Sequence, residues 1–460
     1  MMDEFRILSP TAILGYGFPE ESFKEGIKRK PHVIAVDAGS TDPGPYYLGA
    51  GISFTDRNAV KRDVEYMLLA AVEHNIPVVI GTAGGCGANA HLDWNVEIVK
   101  EIAREKKLSF QLAVIGAEID KAIVKEQLIE GKVTPLYPAP EITAQDVDQA
   151  VRIVAQMGPE PFIKAFEMGA QVIVAGRAYD PAVFSCLAIK EGFDRGLATH
   201  LGKILECATI AATPGSGSDC MFGYLRKDHF ELEPLSGIRK CTTLSVAAHT
   251  LYEKSNPTSL PGPGGILDLT ATTFEQATEN TVIVKGSKFV PTEGTYYVKL
   301  EGVKKVGFRT VSIAGVRDQI MIGRIEEIIK AVKEKVTSNF AGFGIGEFFL
   351  DFKIYGKNAV MGMFEGINFE AGQEIGIIIE AVAETQEQAD TICSFARSTL
   401  LHFGYEGRKS TAGNLAFPFS PSDFRAGEVY EFNIYSLMEA DDPCCYFPVE
   451  VNECKEGEWE

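Results

Sequence analysis

The stretch VIGTAGGCGANAHLDWNV, Val79 to Val96, decides how this chain is read. A β-branched apolar run passes through a glycine-rich turn into helix-forming sequence, the pattern of a buried parallel strand feeding a helix. The pattern recurs between about Lys30 and Ile189, where HVIAV leads into DAGSTDPG, SFQLAVI into GAEID, and AQVIVA into GRAYDP. Helices are expected at Arg57 to His74, Asp93 to Lys106, Ala144 to Met157 and Glu160 to Met168. This alternation predicts an α/β fold that begins with an N-terminal parallel-sheet layered domain.

Residues 196–256 read as a helical extension, in which ATHLGKILECATIAA and LSVAAHTLYEK flank a hairpin through GYLRKDHFELEP. SNPTSLPGPGG, Ser255 to Gly265, is rich enough in proline and glycine to break helix and strand, so a boundary is placed near residue 260. Beyond it ENTVIVKG, TYYVKLEG and VGFRTVSIAG alternate as antiparallel strands do. The expected division is 1–260, carrying the site, and 261–460, an α+β, ferredoxin-like C-terminal region.

A chain of 460 residues exceeds what one core usually organises. Its net charge of -19 argues against nucleic acid and anionic membrane surfaces as partners and favours a small molecule. No run approaches the roughly 20 apolar residues of a membrane helix, and the start MMDEFRIL lacks signal-peptide character. A cytoplasmic protein is expected. Its nine cysteines contain no CxxC pair and read as reduced thiols.

In parallel α/β sheets, ligands bind beyond the carboxyl ends of the strands, where helix N-termini converge. The four strand exits therefore carry the candidate site. The first offers Asp37, with Ser40, Thr41 and Asp42 beside it. At the second, Gly84, Gly85 and Gly87 permit a backbone nest for an oxyanion, Asn89 follows, and Cys86 is a candidate nucleophile if its thiol pKa is lowered. His91 stands at the helix start, where an imidazole suits acid–base chemistry, and Asp93 reads as a cap. The third exit carries Glu118 and Asp120, which can divide acid and base roles or cap a helix. The fourth carries Arg177, suited to a substrate carboxylate or phosphate, and Asp180, followed by Pro181 as at a helix start. Helical spacing adds His200, Lys203 and Cys207, and Ser245, His249 and Glu253. No HExxH, GxSxG, EF-hand or zinc-ribbon spacing is present, and no nicotinamide or flavin cofactor is expected. A divalent metal ion stays open, its ligands unassigned.

The motifs GTAGGCGANAHLDWNVEIVKEIA, GAEIDKAIVKEQL, GAQVIVAGRAYDPAVF, HLGKILECA, GSDCM and SVAAHTLYE, with LLHFGYEGRKSTAGNLAFPFSPSDF, resemble those of the acyclic terpene utilisation (AtuA) family over nearly the whole chain. The resemblance implies a catabolic enzyme for a small carboxylate or acyl-CoA thioester. It marks Gly84, Gly85, Asn89, His91, Glu118, Arg177, Asp180, His200, Glu206, Ser218, Asp219, Cys220 and His249 as motif positions without assigning their roles. The expected reaction is that of a lyase or hydratase: His91 with Glu118 or Asp37 moves the proton, while Arg177 and the Gly84 to Gly87 turn hold the anionic group. Alternatives are a hydrolase or acyl-transferase using Cys86 or Cys220, and a non-catalytic subunit of a CoA-dependent complex. A homo-oligomer is expected.

Overall fold

The computed structural model describes residues 2–252, 255–342, 345–366, 372–409 and 412–459. Glu253, Ser410 and Thr411, which fall within motifs named above, lie outside the described residues. The chain divides into one unit of residues 1–304 with 432–460 and a second of residues 305–431.

The first unit is built on an eleven-stranded mixed sheet. At its centre five parallel strands stand side by side in the order Glu4–Ser9, Val33–Asp37, Val78–Gly81, Val172–Ala175 and Phe110–Ile115. Antiparallel strands extend it on both sides: Met221–Arg226 pairs with Glu4–Ser9, and Val449–Lys455 with Phe110–Ile115. The α/β class read from the alternating pattern is what the structure shows. The apolar runs are continuous because both faces are covered. Val78, Ile80, Val172 and Val174 enter a core shared with residues of the helices Arg57–His74 and Asn89–Lys106. Val79, Ile173 and Ala175 enter the opposite core, with residues of the helices Asp180–Lys190 and Arg195–Leu205. The strand Val172–Ala175 inserts between Val78–Gly81 and the earlier Phe110–Ile115, so the direction of strand addition reverses there. Such reversals open a crevice at the strand ends.

Several boundaries differ from expectation. The helix containing His91 begins at Asn89, not Asp93, and Asp93 is an exposed residue of its second turn rather than a cap. The helix expected over Ala144 to Met157 stops at Gln149, and Ala150–Gln156 is a strand pairing with Lys299 to Lys304. Its AVRIVAQ sequence carries the β-branched residues that favour a strand. The proline- and glycine-rich stretch is a hairpin inside the first unit, Ser259–Gly262 against Gly265–Asp268. Gly264 supplies the positive φ, +75°, that the Pro263–Gly264 turn requires. The division therefore falls near residue 304, within the strand Tyr296–Val316, and the chain re-enters the first unit within Asp423–Ala440.

Among the longer elements of the second unit the order is strand, helix Ile325–Phe340, strands Phe349–Tyr355 and Ile375–Ala383, helix Gln386–Leu401, strand. Phe349–Tyr355 pairs with Ile375–Ala383, which pairs with Phe308 to Val316. Both helices contribute to one apolar core with the alternate strand residues Ile375, Ile377 and Ile379. Among the described residues no helix is long and apolar enough to cross a membrane.

Candidate functional site

Each glycine of the opening stretch is pressed against protein. A Cβ on Gly84 would meet the His91 carbonyl oxygen at 2.5 Å, one on Gly85 the Phe54 ring at 2.9 Å, and one on Gly87 the Arg177 nitrogen at 2.1 Å. All three have positive φ. Two turn N–H groups are used internally, Gly85 to the Thr82 carbonyl and Gly87 to the Ala83 carbonyl. The turn then splices onto the next strand exit: Thr82 and Ala83 donate to the Gly176 and Ala175 carbonyls, and Arg177 donates to Gly87. Its glycines thus allow close packing that fixes where Arg177 leaves its strand.

Arg177 is the centre of a buried charge network. Its Nε donates to Glu301 Oε2 at 2.7 Å, and its Nη1 donates to the Ala178 carbonyl at 2.9 Å and to Asp180 Oδ1 at 3.2 Å. The other Glu301 oxygen accepts from Lys299 Nζ at 2.7 Å and from the Thr41 hydroxyl at 3.0 Å. Burial alone would raise the Glu301 pKa, but Arg177 and Lys299 outweigh it and hold the carboxyl down at about 2. Thr82 Oγ1, from a β-branched residue held at φ +49°, accepts from the Ala178 N–H at 3.3 Å. Backbone strain of this kind collects where surrounding structure must fix a functional group.

Two carboxylates face this network. Asp37, closing its strand, is 6% exposed, and its Oδ1 has no hydrogen-bond partner among the described residues. Burial and the charge of Asp180 raise its pKa well above the usual carboxylate value. The Asp180 pKa is also raised, by burial and by Asp42 against the opposing pull of Arg177. Asp180 keeps 29% of its side-chain surface while Arg177 keeps 4%, which makes Asp180 the solvent-reachable end of the network. Lys203 Nζ, which also biases Asp180, is bound to Glu206 Oε1 at 2.7 Å and lies over the Tyr252 ring at 4.8 Å. His249 bonds the Lys203 backbone, and its Nε2 has no partner among the described residues.

The remaining candidates stand elsewhere or have structural partners. His91 is 1% exposed, its Nε2 lies between the Tyr47 and Ile52 carbonyls at 3.1 and 3.2 Å, and burial lowers its pKa to about 4. Glu118 Oε2 accepts the Asn89 N–H at 2.8 Å and so caps that helix from another segment. Asp120 caps the helix Lys121–Ile129. His200 is enclosed, bonded to Ser287 at 2.6 Å and Thr250 at 3.1 Å, and burial lowers its pKa to about 3. The Cys86 thiol contacts the Ser40 carbonyl, and burial pushes its pKa up to about 12. Cys220 is a core residue, also raised by burial, and its neighbour Asp219 is held by Arg239 at 2.8 Å. Ser218 is exposed. Among the described residues no group of three or more His, Cys, Asp or Glu side chains is placed to hold a metal ion.

The structure therefore brings Asp37, Arg177 and Asp180 together and adds Lys203, Glu206 and His249 beside them. Glu301 and Thr82 were missed by sequence reasoning. The only signal for Glu301 was a carboxylate alternating with the apolar residues of YYVKLEG, and for Thr82 a β-branched residue opening a glycine turn.

No curated protein and no solved structure matches the chain. The family model described as "Acyclic terpene utilisation family protein AtuA" matches residues 57–220 and 237–418, more than half of the sequence, and includes the glycine turn, Arg177, Asp180 and Glu301, while Asp37 and Thr41 precede the matched residues. The chain belongs to the acyclic terpene utilisation family.

Proposed function

We propose that this protein is a catabolic enzyme acting on a small carboxylic acid or its acyl-CoA thioester, as a lyase or hydratase. The family's name supports the catabolic role. The observation that carries the chemistry is the pair Asp37 and Asp180, both with raised pKa, beyond the carboxyl ends of the two strands that flank Val78–Gly81 in the parallel sheet. Two crowded carboxyls with one nearby guanidinium retain a proton at pH values where an isolated carboxyl has lost it. One is then an acid and the other a base. In a hydration, the carboxylate takes a proton from water as the water oxygen bonds the β-carbon, and the carboxyl gives its proton to the α-carbon. Elimination is the reverse. Arg177 and Lys203 supply positive charge for a developing oxyanion.

His91 and Glu118 are less suited to the proton transfer than their positions in the sequence imply, since each is already engaged in holding backbone. A thiol nucleophile needs a lowered pKa, and Cys86 has the opposite. The test is turnover of branched enoyl- and hydroxyacyl-CoA thioesters by the purified protein and by Asp180→Asn. A loss of about 100-fold or more in kcat with an unchanged fold supports the reading. A fully active Asp180→Asn protein, or no turnover of any such thioester or free acid by the wild type, overturns it.

A further inference from the structure

The strand Phe349–Tyr355 ends the sheet of the second unit. Ile375–Ala383 pairs along one side of it, and no described residue pairs along the other. The edges of the eleven-stranded sheet are strands of four and two residues, too short to recruit another chain, whereas this one has seven. It carries no proline and no bulge. Cavities of about 480 and 630 Å³ both open beside Glu347, Phe348 and Phe349, so among the described residues nothing fills the space at that end of the edge. Phe349 and Tyr355 are 55% and 49% exposed.

The sequence of this edge, FLDFKIY, is complementary to itself when reversed. Laid antiparallel about Phe352, it sets Asp351 opposite Lys353, Phe349 opposite Tyr355 and Leu350 opposite Ile354. Opposite charges and aromatic pairs directly across antiparallel strands are the favourable ones, and a two-fold axis makes each pair occur twice. We propose that two copies of this chain join through their Phe349–Tyr355 edges about a two-fold axis at Phe352, making one continuous sheet. The open-side backbone N–H and carbonyl groups of the two edges then bond to one another across the axis. Asp351, now held by Lys333 Nζ at 3.0 Å and near Lys353 of its own chain at 3.5 Å, turns to the Lys353 of the second copy. The leucine, phenylalanine and isoleucine of the edge stay on the helix-covered face, and Phe349 and Tyr355 lose their exposure together.

Sedimentation of the full-length protein across a concentration series tests this. Wild type is expected to dimerise. Asp351→Lys sets like charges opposite one another at two places and raises the dissociation constant roughly tenfold or more. Asp351→Lys combined with Lys353→Asp restores opposite charges and the dimer. Phe349→Glu, at an exposed position where folding is not at stake, weakens the dimer independently, and circular dichroism verifies the fold of each variant. A wild type that stays monomeric, a dimer that neither Asp351→Lys nor Phe349→Glu weakens, or a folded double variant that remains monomeric overturns the proposed pairing.

Discussion

The backbone of Gly87 lies against that of Arg177 so closely that a Cβ on residue 87 would stand 2.1 Å from the Arg177 nitrogen. Gly87→Ala therefore has to displace the strand exit that aims Arg177. Residue 87 also has φ +70°, which alanine resists. The expected cost is about 2 to 4 kcal/mol, from crowding and strain together, with turnover reduced in the folded fraction. Gly131 separates the two effects, because its φ is +71° and open space surrounds its Cβ direction. Gly131→Ala should cost about 1 kcal/mol. Urea unfolding of both variants checks the difference.

Glu301 stands between two cations in a site where it is 1% exposed. Glu301→Gln leaves Arg177 and Lys299 without their counter-charge and should cost about 3 to 5 kcal/mol. The pH dependence identifies the cause. The folded carboxyl titrates at about 2 and the unfolded one near its ordinary 4.5, so the unfolded chain binds the proton first as pH falls. Stability from Glu301 is complete above pH 4.5 and is lost on descent to about pH 2. Wild type and Glu301→Gln should therefore converge in unfolding midpoint over that window. Midpoints that keep a constant separation there would mean the residue acts through packing.

The layered first unit was legible because both-face burial writes itself as unbroken β-branched runs, and because DAGS, GTAGG, GAEID and GRAYD mark the strand exits. Arg177, Asp37 and Asp180 were legible for the same reason. What was hidden depends on partners distant in sequence. Glu301 joins Arg177 across 124 positions, and no local pattern announces that pairing. His91 looked chemical at a helix start, yet its neighbours turned out to be two carbonyls. The strand Ala150–Gln156 was hidden because AVRIVAQ follows directly on helical sequence, with Lys299 to Lys304 as its partner. The PGPGG turn misled for a simple reason: residues that break elements also make the turn of a hairpin.

His91 gives a stability signature of its own. Burial lowers its folded pKa to about 4 from an ordinary 6.5, so the unfolded state takes the proton first as pH falls. Wild type should lose about 3 kcal/mol between pH 6.5 and 4 from this residue. His91→Gln should be less stable at pH 8, where it replaces a ring that fills the space between the Tyr47 and Ile52 carbonyls, and should show a shallower decline on acidification. Chemical denaturation at several pH values measures both. An unchanged slope would show that the ring is not held neutral by the fold.

Asp37 should behave in the opposite sense, because a carboxylate kept in a buried, like-charged setting is carried at a cost to the fold. Its folded pKa is raised, so the stability associated with the protonated form is complete below its ordinary 3.8 and is lost as pH rises through the folded value. Asp37→Asn keeps an acceptor for the Gly39 N–H and removes the charge. At pH 8 it should melt at a higher temperature than wild type, and the two should approach one another toward pH 4. In the same protein, turnover should fall by about 100-fold or more if Asp37 shares the proton with Asp180. A gain in stability paired with a loss of activity is what a strained functional group yields when neutralised. Loss of both would instead mark Asp37 as a structural member of the Arg177 network.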